Sequence, residues 1–175
     1  MMKKIAIAML TLLLVGCAAS PWDVAKKSIE SGELLSKIKL DEGSRVEQYP
    51  CEVGAPGKLA FNCVVMKNEA GLAFFKFDKK LEQYNPVFVV NYKKMTGAAL
   101  VESGWGAKTS QIQIRSNGDF TFAFSITGGL FYNNEATKNI YSSILSYGVE
   151  GYNSEDYIQY NHGTPTTIYI PVYLP

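Results

Sequence analysis

The sequence predicts a β-rich α+β domain: an antiparallel sandwich or small barrel with one packed helix, preceded by an N-terminal helical stalk. Three observations carry this. From Val46 onward, apolar residues fall in short runs rich in valine, isoleucine, phenylalanine and tyrosine, separated by turns bearing glycine or proline. Over 111–126, apolar and polar residues alternate with a period of two, the mark of a strand with one buried face. One amphipathic helical pattern lies inside this region and does not recur between strands, which argues against a parallel βαβ sheet.

The first element stands outside that domain. Lys3 and Lys4 precede an apolar run over 5–16, broken only by Thr11. Twelve residues are too few for the ~20 that span a bilayer as a helix. A short basic region before an apolar stretch of this length reads as a secretory signal peptide. Its end, Leu14-Val15-Gly16-Cys17, resembles the lipobox of bacterial lipoproteins. The resemblance covers the first seventeen residues and implies cleavage between Gly16 and Cys17, with Cys17 carrying the lipid. Each buried methylene contributes ~0.8 kcal/mol, so an anchor of several acyl chains holds essentially permanently. Ala18 and Ala19 follow the cysteine where inner-membrane lipoproteins commonly carry aspartate, so the resemblance favours the outer membrane. The expected division is a signal peptide over 1–16, an anchor and stalk over 17–44, and one β-rich domain over 45–175.

Ser20-Pro21-Trp22-Asp23 is a helix start, with Ser20 as N-cap, Pro21 in the first turn and Asp23 three residues on. The helix is expected to run to Ser31, with Gly32 beyond it. Its apolar positions, Trp22, Ala25 and Ile29, are sparse, which favours a loosely packed spacer. A short helical turn follows through Leu34, Leu35 and Ile38. Strands are expected over 46–53 and 59–66 around the turn Gly54-Ala55-Pro56-Gly57-Lys58, then over 72–77, 87–92 and 98–102. The clearest hairpin spans 111–124. A two-residue turn on Asn117-Gly118 would set Arg115 opposite Phe120, mixing polar and apolar positions on both faces. A three-residue loop, Ser116-Asn117-Gly118, pairs Ile114 with Phe120 and Ile112 with Phe122 instead. Gln113 is expected to face solvent. A short run at 130–132 precedes a helix over 135–147, capped by Asn134, with Ala136, Ile140 and Ile144 on one face and Gly148 closing it. Strands over 157–160 and 167–173 finish the chain, Pro171 marking the last as an edge or bulge.

Lys and Arg number 17 against 16 Asp and Glu, and Arg45 and Arg115 are the only arginines. No basic patch with arginine forks is visible, which, with export, excludes nucleic acid as a partner. Beyond Cys17 the cysteines are Cys51 and Cys63, an even number in an oxidising compartment. They are expected to form a disulfide across a hairpin, contributing roughly 3 kcal/mol on the chain-entropy argument. A metal pair is disfavoured: eleven intervening residues are not a chelating spacing, and the single histidine, His162, is far off in sequence.

No nucleophile elbow, P-loop, zinc-protease helix or dinucleotide fingerprint occurs. No catalytic residue, metal or cofactor is therefore expected. His162 in Tyr160-Asn161-His162-Gly163 reads as a turn residue, and Glu155-Asp156 as a solvated turn. Two features rise above this background. Trp105, between Gly104 and Gly106, suits a contact with a partner or a sugar, or else folds back as a lid on the core. Seven tyrosines (141, 147, 152, 157, 160, 169 and 173) gather near the C-terminus, as a binding face or as cross-strand packing. Ser103-Gly104-Trp105-Gly106-Ala107-Lys108 is also similar to the Ser-Gly-x-Ala-Lys loop of membrane-bound lysozyme inhibitors, with Trp105-Gly106 as an insertion. The expected function is that of a non-catalytic, acyl-anchored envelope lipoprotein contacting a protein or glycan through Ser103, Trp105 and Lys108. A lysozyme inhibitor is the first alternative, and an enzyme acting on envelope glycans through paired carboxylates the second.

Overall fold

The computed structural model describes residues 20–38, 44–104, 109–116, 120–129 and 131–161. Seven strands form one antiparallel sheet: β1 (Glu47–Gly54), β2 (Phe61–Lys67), β3 (Gly71–Asp78), β4 (Gln83–Asn91), β5 (Met95–Ser103), β6 (Thr109–Ser116) and β7 (Phe120–Ile126). Helix α1 (Pro21–Glu30) precedes them and α2 (Asn134–Ser146) follows. The strand order is β4-β3-β2-β1-β7-β6-β5, two meanders joined where β1 pairs with β7.

The two edge strands, β4 and β5, are consecutive in sequence and linked only by the 3-10 turn Tyr92–Lys94. Laid flat, seven strands would separate those edges by about 29 Å. The four peptide steps from Asn91 to Met95 reach at most about 14 Å. The sheet must therefore coil on itself, and it does so without closing into the barrel weighed from sequence. The rings on its inner face show how far: Phe88 on β4 lies 5.3 Å, centroid to centroid, from Phe122 on β7. Phe74 on β3 meets Phe122 and Phe124 edge-on at 5.4 and 5.2 Å. Ile112, Ile114, Ile126, Val65 and Leu72 complete this core, and α2 covers it with Ile140 and Ile144. Cys51 and Cys63 sit directly opposite each other on β1 and β2 and form the expected disulfide within this core.

The N-terminal helical segment is not a loosely packed stalk. Ala25 on α1 and Leu34 in the 3-10 turn Glu33–Lys37 are fully buried with Val64, Met66, Ala73, Phe75 and Tyr84, forming a second core on the outer face of β2–β4. The Tyr84 hydroxyl donates to the Pro21 carbonyl at 2.9 Å. Apolar residues alternate on β2 and β3 towards both faces, so the outer face needs a cover, and this short helix supplies it. Ser20 caps α1 as expected, its Oγ accepting from the Asp23 N–H at 3.2 Å.

Other elements depart by small steps. The β6–β7 hairpin pairs Ile112 with Phe124 and Ile114 with Phe122 and closes at Ser116 and Phe120. Three residues still intervene, but they are 117–119, because a two-residue slip leaves every side chain on its expected face. The cap of α2 is Asn133, whose Oδ1 accepts from the Ala136 N–H at 3.0 Å. Asn134 is taken instead by the neighbouring hairpin, accepting from the Ser110 N–H at 2.8 Å. Gly148, at φ +86°, ends the helix.

Residues 157–160 are not a strand. The chain over 150–161 runs extended across the outer face of β5, β6 and β7, tied down largely by side chains. Gln111 Nε2 donates to the Ile158 carbonyl at 2.9 Å while its Oε1 accepts from the Ile158 N–H at 3.0 Å. Gln113 donates to the Asp156 carbonyl and accepts from Ser154 Oγ. Gln111 and Gln113 are thus buried, correcting the expectation that Gln113 faces solvent.

Candidate functional site

The Ser103–Thr109 pair closes the β5–β6 hairpin and leaves 104–108 as its tip. Trp105 and Lys108 lie outside the described residues, as do Gly16, Cys17, His162 and the strand expected over 167–173. Ser103 is the last paired residue of β5 and is partly buried. Gly104 leaves the strand at φ +121°, a conformation open to glycine, and is exposed.

The base of this tip is braced against α2 by side-chain contacts. Glu102 Oε1 is 2.6 Å from Lys138 Nζ on α2. That half-exposed pair is worth ~0.2–1 kcal/mol. The Ser110–Asn134 bond ties β6 to the start of the same helix, and Ser110 is fully buried. Just upstream of α2, a turn is pinched by the Thr127–Tyr132 bridge and by the Gly128 N–H donating to the Phe131 carbonyl at 2.7 Å. Phe131, at 78 % exposed, is the most exposed large apolar residue described. Gly129 takes φ +88°, and a Cβ there would lie 3.7 Å from the Trp22 indole. The first turn of α1, the 127–132 turn and the base of the β5–β6 hairpin therefore share one end of the domain. The sequence marked Phe131 only as part of a short run over 130–132; an aromatic just after Gly128-Gly129 carries the same kind of signal that singled out Trp105.

Among the described residues the clustered tyrosines are mostly packing; Tyr169 and Tyr173 lie outside them. Arg115 stacks its guanidinium on the Tyr152 ring at 3.8 Å, and Tyr152 lies so close over Gly97 that a Cβ there would be 2.9 Å from it. The Tyr160 and Ser125 hydroxyls share a hydrogen bond at 2.8 Å, and burial pushes the Tyr160 phenol well above its usual range. Tyr132 donates to the buried carboxylate of Glu52; burial first, and that bond second, raise its pKa. Each ring covers a glycine or a polar strand residue beneath 150–161, which favours the packing reading of the cluster. Tyr147 differs: it is exposed and stacks on buried Tyr92 at 4.5 Å, beside a groove of about 370 Å³ lined also by Glu69, Ala70, Asn91 and Lys93.

Glu69 is the one carboxylate among the described residues lining that groove. Glu155 and Asp156 are exposed neighbours. Among the described residues no group of three His, Cys, Asp or Glu side chains is placed to hold a metal ion. No family model matches the chain, and no curated protein is similar to it in sequence. Among solved structures, the hSac2 domain from human phosphoinositide phosphatase Sac2 aligns with 82 % of this chain and 98 % of that chain, at 9 % identity and a TM-score of 0.49, a likeness too slight to carry any argument about this protein.

Proposed function

We propose that the chain is a bacterial cell-envelope lipoprotein, anchored in the outer membrane by acyl chains on Cys17, whose domain is a non-catalytic binding module. The observation that carries this reading is the run from Lys3-Lys4 through the apolar stretch to Leu14-Val15-Gly16-Cys17. The Cys51–Cys63 disulfide suits an oxidising compartment, and the Ser20 cap begins a rigid helix three residues after Cys17. The contact region is the β5–β6 tip, with Trp105 as the principal contact and Ser103 and Lys108 flanking it. Its partner is an envelope protein or glycan. The braced base formed by Glu102, Ser110, Asn134 and Lys138 supports this role, since a contact loop held by a rigid scaffold binds at lower ordering cost.

Two measurements test the reading. Mass spectrometry of the mature N-terminal peptide is expected to place a diacylglycerol on Cys17; an unmodified peptide refutes the anchor. A photo-crosslinking residue at position 105, in the anchored protein in living cells, is expected to give one strong adduct. The same residue at exposed Lys79, in the β3–β4 turn, is expected to give none. No adduct at either position, or equal adducts at both, refutes the contact tip.

A further inference from the structure

On the lipoprotein reading, the length of chain between anchor and fold limits where the domain can sit. From Cys17 to Ser20 there are three peptide steps, which reach at most about 11 Å. Ser20 caps α1, and α1 is fixed to the sheet by buried Ala25 and by the Tyr84–Pro21 hydrogen bond. The first turn of α1 is thus both rigid with the domain and tied to the anchor. The headgroup zone of a bilayer is itself roughly 5–8 Å deep on each side. Whatever surrounds that turn lies against the membrane. On the side of the turn that faces Gly129 the surface is apolar: Trp22, partly buried, lies on Gly129, and two residues beyond is Phe131, 78 % exposed, while exposed Asp23 occupies the same turn beside its Ser20 cap. The stretch Thr127-Gly128-Gly129-Leu130-Phe131-Tyr132 holds no charged residue. An exposed phenylalanine on a pinched turn has no role in either core, whereas aromatic rings are favoured at the membrane–water boundary.

We infer that this end of the domain rests on the lipid bilayer that holds the anchor, with Phe131 and the edge of Trp22 in the headgroup–acyl boundary. The contact fixes the orientation of the domain and brings the base of the β5–β6 hairpin, braced to the same end, close to the membrane surface. Partners of the tip are then components embedded in or lying on that membrane.

The test uses the full mature chain, purified with its acyl chains and reconstituted in phosphatidylcholine–phosphatidylglycerol vesicles. Trp22 and Trp105 are the only tryptophans, so Trp105→Phe leaves Trp22 as sole reporter. Adding Trp22→Phe and Phe131→Trp to that variant moves the reporter to position 131. Both reporters are expected to lose emission in vesicles of brominated lipid relative to unbrominated ones. Acylated protein that floats with the vesicles but emits equally in both overturns this inference and leaves the anchor standing. Protein that neither floats nor carries acyl mass overturns the anchor reading and this inference together.

Discussion

The sharpest test of how the outer face is covered is Gln111→Ala. Gln111 is fully buried and uses its side-chain amide as a strand would use its backbone, giving an N–H to the Ile158 carbonyl and taking one from Ile158. A third bond arrives from Gln113 Nε2 at 3.2 Å. Three neutral hydrogen bonds at ~0.5–1.5 kcal/mol each set an upper range. The freed groups of half-buried Ile158 regain water, so the net loss is about 2 kcal/mol, roughly thirtyfold in the local opening equilibrium. The assay is amide hydrogen exchange at Ile158, read by NMR, with the urea midpoint as a global control. Exchange at Ile158 is expected to accelerate about thirtyfold, and more than at amides within β6. The near-isosteric Gln111→Glu sharpens the test. As a carboxylate it turns a donor into a second acceptor facing the Ile158 carbonyl, a loss that eases once acid protonates it. If exchange at Ile158 is the same in Gln111→Ala as in the native chain, the glutamines do not hold the segment.

Two further outcomes follow from burial. Leu34→Ala removes a fully buried side chain and is expected to cost about 2–5 kcal/mol in urea unfolding; an unchanged midpoint would mean that the N-terminal segment is a separate stalk after all. Burial, then the hydrogen bond to Glu47, pushes the Tyr49 pKa up to about 12, and Tyr84, Tyr92, Tyr132, Tyr152, Tyr157 and Tyr160 are also raised by burial. The fold favours their protonated form, so their contribution to stability is complete below an unfolded pKa of about 10 and is lost as pH rises through the folded values. Tyrosinate absorbance is expected to show these phenols ionising late, together with unfolding; titration of every tyrosine near pH 10 in a folded protein would refute it.

The sequence made the strands legible because one inner face per strand had to be apolar, and the period of two survives any even slip in register. That also explains the β6–β7 error: the pattern of Ile112, Ile114, Phe122 and Phe124 fixes the face and not the partner. Two misreadings share a different cause. Gln111 and Gln113 look like a solvated face, and the apolar positions of α1, Ala25 among them, look too sparse for a core. Both are buried by chain distant in sequence, and no local pattern announces a cover that arrives some 45 residues later. The disulfide was legible from parity and compartment, whereas the end carrying Trp22 and Phe131 was not. Neither residue stands out alone, and only the packing of α1 onto Gly129 brings them together.

A coiled sheet that stops short of closure keeps two raw edges, and each is blunted in its own way. The β4 edge carries Pro86, which has no N–H to offer, and Val87 is skipped in its pairing with β3. The β5 edge is occupied at its middle, where Ala98 gives its N–H to the Glu150 carbonyl and accepts from the Tyr152 N–H. Among the described residues, both edges that a second molecule would meet are interrupted in this way. Chains crowded side by side in two dimensions meet edge to edge far more often than chains free in solution. On the lipoprotein reading, the blunted edges would let the domain be displayed densely without its sheets fusing into larger ones.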